Sequence, residues 1–182
     1  MTERKANAAL PESAGERMHA LAARLFPICR SITGPGQRET LEILAEHLPL
    51  RITEVPTGTK VIDWTIPPEW HIRDAWVKDR GGNRLIDFQQ NNLHVVNFST
   101  AVRRTMTFDE LRPHLHSLPD KPDWIPYRTS YYERNWGLCL SQRQLEQLQK
   151  AGGPFEVCID AEYIDGALAY GECVLPGENE EE

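Results

Sequence analysis

The sequence lacks the features that mark a disulfide-stapled, exported or membrane-spanning protein. Its 182 residues include only four cysteines, and none of them forms a C-x-x-C pair. No apolar run approaches the roughly 20 residues of a membrane helix, and no apolar segment precedes a small-residue cleavage site near the amino terminus. We therefore expect reduced thiols, no membrane partner and a cytoplasmic location.

The sequence also lacks an excess of basic residues. Its 20 Lys and Arg are outnumbered by 27 Asp and Glu, which gives a formal charge of −7, whereas nucleic-acid binding requires a basic face. Glutamates crowd the last positions, so we assign residues 179–182 to an acidic tail. The hydrophobic share of 40% and the charged share of 26% are those of a globular protein. We expect no nucleic-acid partner.

The first third of the sequence predicts two helices followed by a strand. Apolar residues between positions 18 and 26 follow the spacing of one buried helical stripe, and Pro27 ends it. A second stripe over residues 41–48 is ended by Pro49. Alternation of apolar and polar residues then predicts a strand at about residues 50–55.

A β-rich stretch rich in Trp, Ile and Val follows, over about residues 57–97. Residues 70–78 predict a strand, residues 79–83 a turn, and residues 84–88 a return strand that forms a hairpin. Residues 93–98 predict a third strand. This part of the chain is therefore expected to contribute a small antiparallel sheet.

The last part of the sequence predicts a helix and a second hairpin. Ser141 and Gln144 have the spacing of a capping box, which predicts that a helix begins there. A strand is expected at residues 155–159, a turn at residues 165–166, and a return strand at residues 167–175.

Together these elements predict a mixed α/β fold in which one scaffold is interrupted by an insert. Residues 10–58 and 136–178 are expected to form a partial α/β scaffold and to pack together, while residues 59–135 form a β-rich inserted domain. The tryptophans predicted to form the core of the insert are Trp64, Trp70 and Trp76.

Histidines and cysteines are the first candidates for chemistry. His114 and His116 would face the same side of a strand and could share a metal ion. No third ligand follows at a metal-binding spacing, so surface or packing histidines are the alternative interpretation. Cys29 and Cys139 could act as nucleophiles, but neither lies in a recognisable motif, and structural thiols are the alternative.

Two other sets of residues are candidates for binding. Gly34 and Gly36 open a helix close to Arg30, and free N–H groups at a helix start can bind an anion; a plain capping turn is the alternative. The second set is rich in aromatic rings that could line a substrate cleft or belong to the core. Its members are Asp63, Trp64, Tyr131, Tyr132 and Trp136.

Five stretches of the sequence are distinctive: residues 25–34 (LFPICRSITG), 54–64 (EVPTGTKVIDW), 69–75 (EWHIRDA), 126–132 (PYRTSYY) and 135–139 (NWGLC). These stretches resemble a bacterial aminopeptidase-like family often encoded near polysaccharide-biosynthesis genes. The resemblance extends from about residue 16 to residue 178.

This resemblance implies a co-catalytic zinc aminopeptidase fold, with a small domain of unknown function inserted from about Lys60 to the mid-130s. It also implies that the zinc ligands and the general-base carboxylate follow a segment like residues 171–177, beyond Glu182. We therefore expect no catalytic residue and no bound zinc in this chain. Zinc is expected only in the complete enzyme, with the remainder of the peptidase domain as this chain's partner and a peptide as substrate.

The function predicted first is thus the N-terminal part of a zinc-dependent aminopeptidase-like hydrolase, inactive alone. The alternative is a stand-alone module that binds a partner or a glycan through the aromatic-rich insert. A cysteine hydrolase is a third and more distant hypothesis.

Overall fold

The computed structural model describes residues 13–131 and 133–177. The helices are α1 (Ser13–Leu25), α2 (Pro35–Ala45), α3 (Phe108–Leu111) and α4 (Gln142–Ala151), with 3-10 turns at Asn92–His94 and Arg112–His114. The strands are β1 (Arg51–Pro56), β2 (Lys60–Val61), β3 (Trp64–Thr65), β4 (Glu69–Lys78), β5 (Arg84–Asp87), β6 (Val102–Met106), β7 (Leu115–His116), β8 (Leu138–Cys139), β9 (Phe155–Ile164) and β10 (Ala167–Glu172). The predicted mixed α/β class is confirmed.

The main sheet has four antiparallel strands in the order β5-β4-β9-β6. Its two ten-residue strands, β4 and β9, pair along their whole length, from Glu69 opposite Ile164 to Lys78 opposite Glu156. Alternating burial along β9 directs one face of the sheet into the core. The other pairings are small: β1 with β10 and β2 with β3 are antiparallel, and β7 with β8 is parallel.

The core lies between the main sheet and the segments that follow β5. It joins Trp70 of β4 to Leu148 of α4 and Phe155 of β9, all at most 3% exposed. Trp76 is also buried, with the Lys78 ammonium 4.1 Å from its ring, whereas Trp64 is only half-buried. Two of the three tryptophans predicted to be core are therefore buried.

A buried carboxylate ties the smaller β ribbon to the main sheet. Glu69 of β4 is 3% exposed and accepts hydrogen bonds from the guanidinium of Arg38, from His71 Nε2 at 2.9 Å and from the Ala167 amide at 2.8 Å. Arg38 also reaches Glu54 of β1 at 2.6 Å. Burial alone would raise the pKa of Glu69, but these hydrogen bonds outweigh it and lower the pKa to about 2. One residue thus links α2, β4 and β10.

Several predicted elements are confirmed. The β4–β5 hairpin and the strand at residues 51–56 are present. The capping box predicted at Ser141 forms with reciprocal hydrogen bonds, and a second one forms at Thr107. Strand β1 pairs with β10, which joins one strand from each of the two predicted scaffold segments.

Three element predictions were wrong. Residues 93–98 do not form a strand, because Asn91 caps a 3-10 turn and Phe98 takes a positive φ of 63°. The strand at Val102–Met106 was missed; it pairs with β9. The return strand ends at Glu172 rather than 175, since its partner β1 begins at Arg51, opposite Glu172.

The main sheet crosses the predicted domain boundary at residue 136. Strand β4 belongs to the predicted insert and β9 to the predicted scaffold, yet the two strands pair and share one core. The division into domains stays a prediction. Two predicted segments lie outside the described residues: the acidic tail at residues 179–182 and positions 10–12 of the scaffold. Among the described residues, no helix is long and apolar enough to cross a membrane.

Candidate functional site

An open cleft of about 750 Å³ lies where the β2–β3 hairpin meets the loop after α1 and residues 127–131. We call it the Trp64 cleft. Its lining includes Ser31, Asp63, Trp64, Asn97, Phe98, Tyr127 and Tyr131. Its volume is within the range of small-molecule and peptide side-chain sites.

Three of the five predicted cleft residues lie here: Asp63, Trp64 and Tyr131. Trp136 does not line the cleft; its ring stacks on His114, with ring centroids 3.6 Å apart and an interplanar angle of 11°. Tyr132 lies outside the described residues. Whether the three residues bind a substrate stays a prediction.

A tight hairpin presents Asp63 and Trp64. Strands β2 and β3 are two residues each and pair Lys60 with Thr65 and Val61 with Trp64. The two-residue turn between them places Ile62 at φ 56°, with its side chain fully exposed. A β-branched residue rarely adopts a positive φ, so the backbone of Ile62 in this turn is strained.

The aromatic wall of the cleft is fixed by contacts on both sides. Trp64 donates its indole N–H to the Tyr131 hydroxyl at 2.5 Å. Phe98 packs edge-to-face on Tyr131, with centroids 5.3 Å apart, and stacks on the buried Trp70 at 6.0 Å. Trp70 is in turn anchored by an N–H···O bond of 2.9 Å to Ser99. The wall is therefore continuous with the core.

Asn97 joins the loops that border the cleft, and sequence reasoning missed it. This residue is 5% exposed, and its side-chain amide donates to the Arg30 carbonyl at 3.1 Å and to the Tyr127 hydroxyl at 3.2 Å. Its backbone carbonyl accepts from the Ser130 amide at 2.8 Å. A polar amide within the mostly apolar run of residues 93–98 was the available signal, since buried amides require partners.

The predicted anion-binding residues have packing explanations. Gly34 caps α2 at φ 105°, and a Cβ there would lie 2.9 Å from the Trp70 carbonyl oxygen. A Cβ on Gly36 would lie 2.1 Å from the Cys29 carbonyl oxygen. Arg30 is exposed. The glycines thus permit close backbone packing, and anion binding at this helix start stays a prediction.

The histidine pair does not have the predicted strand geometry. His114 belongs to the 3-10 turn Arg112–His114, so only His116 lies on a strand. The His114 ring is engaged with Trp136, whose carbonyl oxygen is 3.1 Å from Nδ1. Burial lowers the pKa of His116. Within residues 13–131 and 133–177 no three His, Cys, Asp or Glu side chains form a group that could hold a metal ion, so these residues do not fit a zinc site.

The cysteines are unsuited to nucleophilic attack. Burial raises the pKa of both Cys29 and Cys139 to about 11, which leaves the reactive thiolate scarce at neutral pH. Cys29 Sγ contacts Asn97 Oδ1 at 4.0 Å. The cysteine-hydrolase hypothesis therefore gains no support from this geometry.

Comparison with known proteins shows one relative and one solved structure with long matches. A Clostridium acetobutylicum protein named "Putative polysaccharide biosynthesis protein with aminopeptidase-like domain" is 52% identical over 171 residues. The match covers 94% of this chain but 39% of that protein. A crystal structure described as a "putative peptidase" from Clostridium acetobutylicum superposes with a TM-score of 0.83 at 50% identity, covering 87% of this chain and 37% of that one.

The chain thus spans well under half the length of both proteins that it matches. Residues 69–162, which include the main-sheet strands β4, β5 and β6 and most of β9, match a protein family as well. Because that match covers more than half of the 182 residues, the chain belongs to the family described as Domain of unknown function (DUF2172).

Proposed function

We propose that this chain is part of a cytoplasmic, zinc-dependent aminopeptidase-like hydrolase that cleaves the N-terminal peptide bond of its substrate. The carrying observation is the superposition, at 50% identity, on 37% of a chain described as a peptidase. The aminopeptidase-like name of the 52% identical relative supports the same activity.

In this proposal the metal and the catalytic groups belong to the remainder of the complete enzyme, C-terminal to Glu182. The described residues of this chain do not fit a zinc site, so no chemical step is assigned to them. Their part is to form one wall of the substrate cleft, through the residues of the Trp64 cleft, and to support it from the main sheet.

The β1–β10 ribbon is the proposed contact for that remainder. It has two strands, and within the described residues no third strand pairs with either outer edge. Val174 and Leu175, directly after β10, are 86% and 77% exposed. Unpaired strand edges and exposed apolar residues favour further pairing, which supports a docking role for this edge.

The test is a comparison of the chain alone with a chimera in which it replaces the matching 171 residues of the Clostridium acetobutylicum relative. We expect the chimera to bind zinc and to hydrolyse an aminoacyl p-nitroanilide, with activity lost on chelation and restored by zinc. The chain alone should do neither. Stoichiometric zinc binding with turnover by the chain alone, abolished by His114→Ala/His116→Ala, would overturn the assignment.

A second candidate function is favoured by the aromatic lining of the Trp64 cleft, which includes Trp64, Phe98 and Tyr131. A stand-alone binding module could use it without any peptidase domain. The coding DNA after Glu182 distinguishes the two. An in-frame continuation with a histidine soon after supports the hydrolase, and a stop codon with soluble expression supports the module.

A further inference from the structure

Backbone strain in the described residues is concentrated at the Trp64 cleft. Within residues 13–131 and 133–177, the non-glycine residues with a positive φ are Ile62, at 56°, and Phe98, at 63°. Ile62 immediately precedes Asp63, and Phe98 lies in the aromatic wall. Conformations of this kind are strained and cluster at ligand-binding sites. Two independent segments therefore hold strained conformations that shape the same cleft.

Several polar groups at the cleft are already satisfied within the protein. Ser31 donates its hydroxyl proton to the Thr33 carbonyl, and Trp64 donates its N–H to Tyr131. The amide of Asn97 donates to Arg30 and Tyr127, and its Oδ1 accepts from Cys29 Sγ at 4.0 Å. These groups therefore have partners without a ligand.

Asp63 gives the cleft a negative charge. The other described residues that line the cleft are uncharged. Asp63 is exposed, and no described residue donates a hydrogen bond to its carboxylate or forms an ion pair with it. A carboxylate beside aromatic faces favours a ligand that carries an ammonium group and an apolar body. The same charge disfavours phosphates and other anions.

We propose that the Trp64 cleft binds the amino-terminal residue of a peptide. Asp63 accepts the α-ammonium group, and the rings of Trp64, Phe98 and Tyr131 receive an apolar side chain. Hydrolysis of the bound peptide rests on the proposed function, whereas binding of its amino-terminal residue does not. It assigns to this chain the recognition of a free, uncapped amino terminus.

The experiment measures ligand binding to the 182-residue chain, with the indole N–H resonance of Trp64 as the reporter. The probes are L-phenylalaninamide, its N-acetyl derivative, which keeps the ring but lacks the charge, and methyl glucoside. We expect acetylation to weaken binding by about tenfold, the loss of one partly exposed charge-assisted hydrogen bond. Methyl glucoside should bind more weakly than the free amine.

Asp63→Asn should weaken binding of L-phenylalaninamide by about tenfold and leave the acetylated probe unchanged, which removes the discrimination between them. Asp123→Asn is the matched control, because Asp123 is an exposed aspartate that pairs with Arg143 and does not line the cleft. This control should keep the full discrimination. Trp64→Phe should weaken both probes equally, since it alters the wall and not the charge.

Equal binding of the free and acetylated probes would overturn the proposal, as would no response of Trp64 to either. Tighter, Trp64-dependent binding of methyl glucoside would replace it with a glycan site. The outcome is separable from the proposed function: a chimera that hydrolyses aminoacyl substrates while this chain fails to discriminate would refute the cleft assignment alone.

Discussion

Replacing Glu69 by Gln tests how much of the fold depends on one buried charge. The substitution keeps the size of the side chain and one oxygen that can accept from Arg38 Nη2 and the Ala167 amide. It removes the negative charge, and the new amide nitrogen cannot accept from Arg38 Nη1 or His71. The pKa of Glu69 is lowered from its ordinary 4.5 to about 2. That difference corresponds to about 3 kcal/mol in favour of the charged form.

Glu69→Gln should therefore lower the free energy of unfolding by about 3 kcal/mol at pH 7. For a domain of this size the midpoint temperature should fall by about 6–12 °C. The pH dependence has a definite sign. Because the folded-state pKa lies below 4.5, the stabilisation is complete above that pH and is lost as the pH falls towards 2. The variant should lack this share of the acid dependence.

The assay is urea unfolding followed by tryptophan fluorescence at pH 7, 5 and 3. Glu162→Gln is the matched control, since Glu162 pairs with Arg73 on the same sheet but is half exposed; it should cost less than 1 kcal/mol. Equal stabilities of the two variants at pH 7 would refute the reasoning, as would an unchanged acid dependence in Glu69→Gln.

Two further substitutions test the packing around that carboxylate and the core behind the cleft. Gly166→Ala should destabilise the protein by more than 1 kcal/mol, because the added Cβ would lie 2.1 Å from Glu69 Oε1. In the control variant Gly15→Ala, the added Cβ in α1 meets no atom within 4 Å, so this variant should be neutral or stabilising. Thermal unfolding of the two variants checks this prediction, and equal midpoint temperatures would contradict it. Trp70→Ala should lower the free energy of unfolding by about 3–5 kcal/mol, because the Trp70 side chain is 3% exposed. Trp124→Ala should lower it by less than 1 kcal/mol, because Trp124 is 61% exposed. An unchanged midpoint temperature in Trp70→Ala would show that the ring makes no core contacts.

Local signals in the sequence predicted most elements, because they act within a few residues. The capping box at Ser141 and the turn between β4 and β5 specify their conformations through neighbouring groups, and both were predicted. The strand predicted at residues 93–98 failed for the opposite reason. Its apolar residues are buried by contacts far along the chain, such as the Val95 bridge to Leu138, and apolar runs alone do not distinguish a strand from a packed loop.

The candidate site was predictable only in part for a related reason. Asp63 and Trp64 are adjacent in the sequence, and aromatic clustering pointed to them and to Tyr131. Asn97 contributes through contacts with Arg30 and Tyr127, which lie 67 and 30 positions away along the chain, and no local pattern identifies those partners. The sheet that crosses residue 136 was hidden likewise, since the pairing of β4 with β9 joins residues more than 75 positions apart.

The most direct test of the proposed hydrolase is the substrate selectivity of the chimera with the Clostridium acetobutylicum relative. Zinc-loaded chimera should release p-nitroaniline from L-leucine p-nitroanilide and not from the N-acetylated substrate, because an aminopeptidase requires a free amino terminus. Absence of hydrolysis by both the chimera and the intact relative, or equal hydrolysis of the two substrates, would contradict the account.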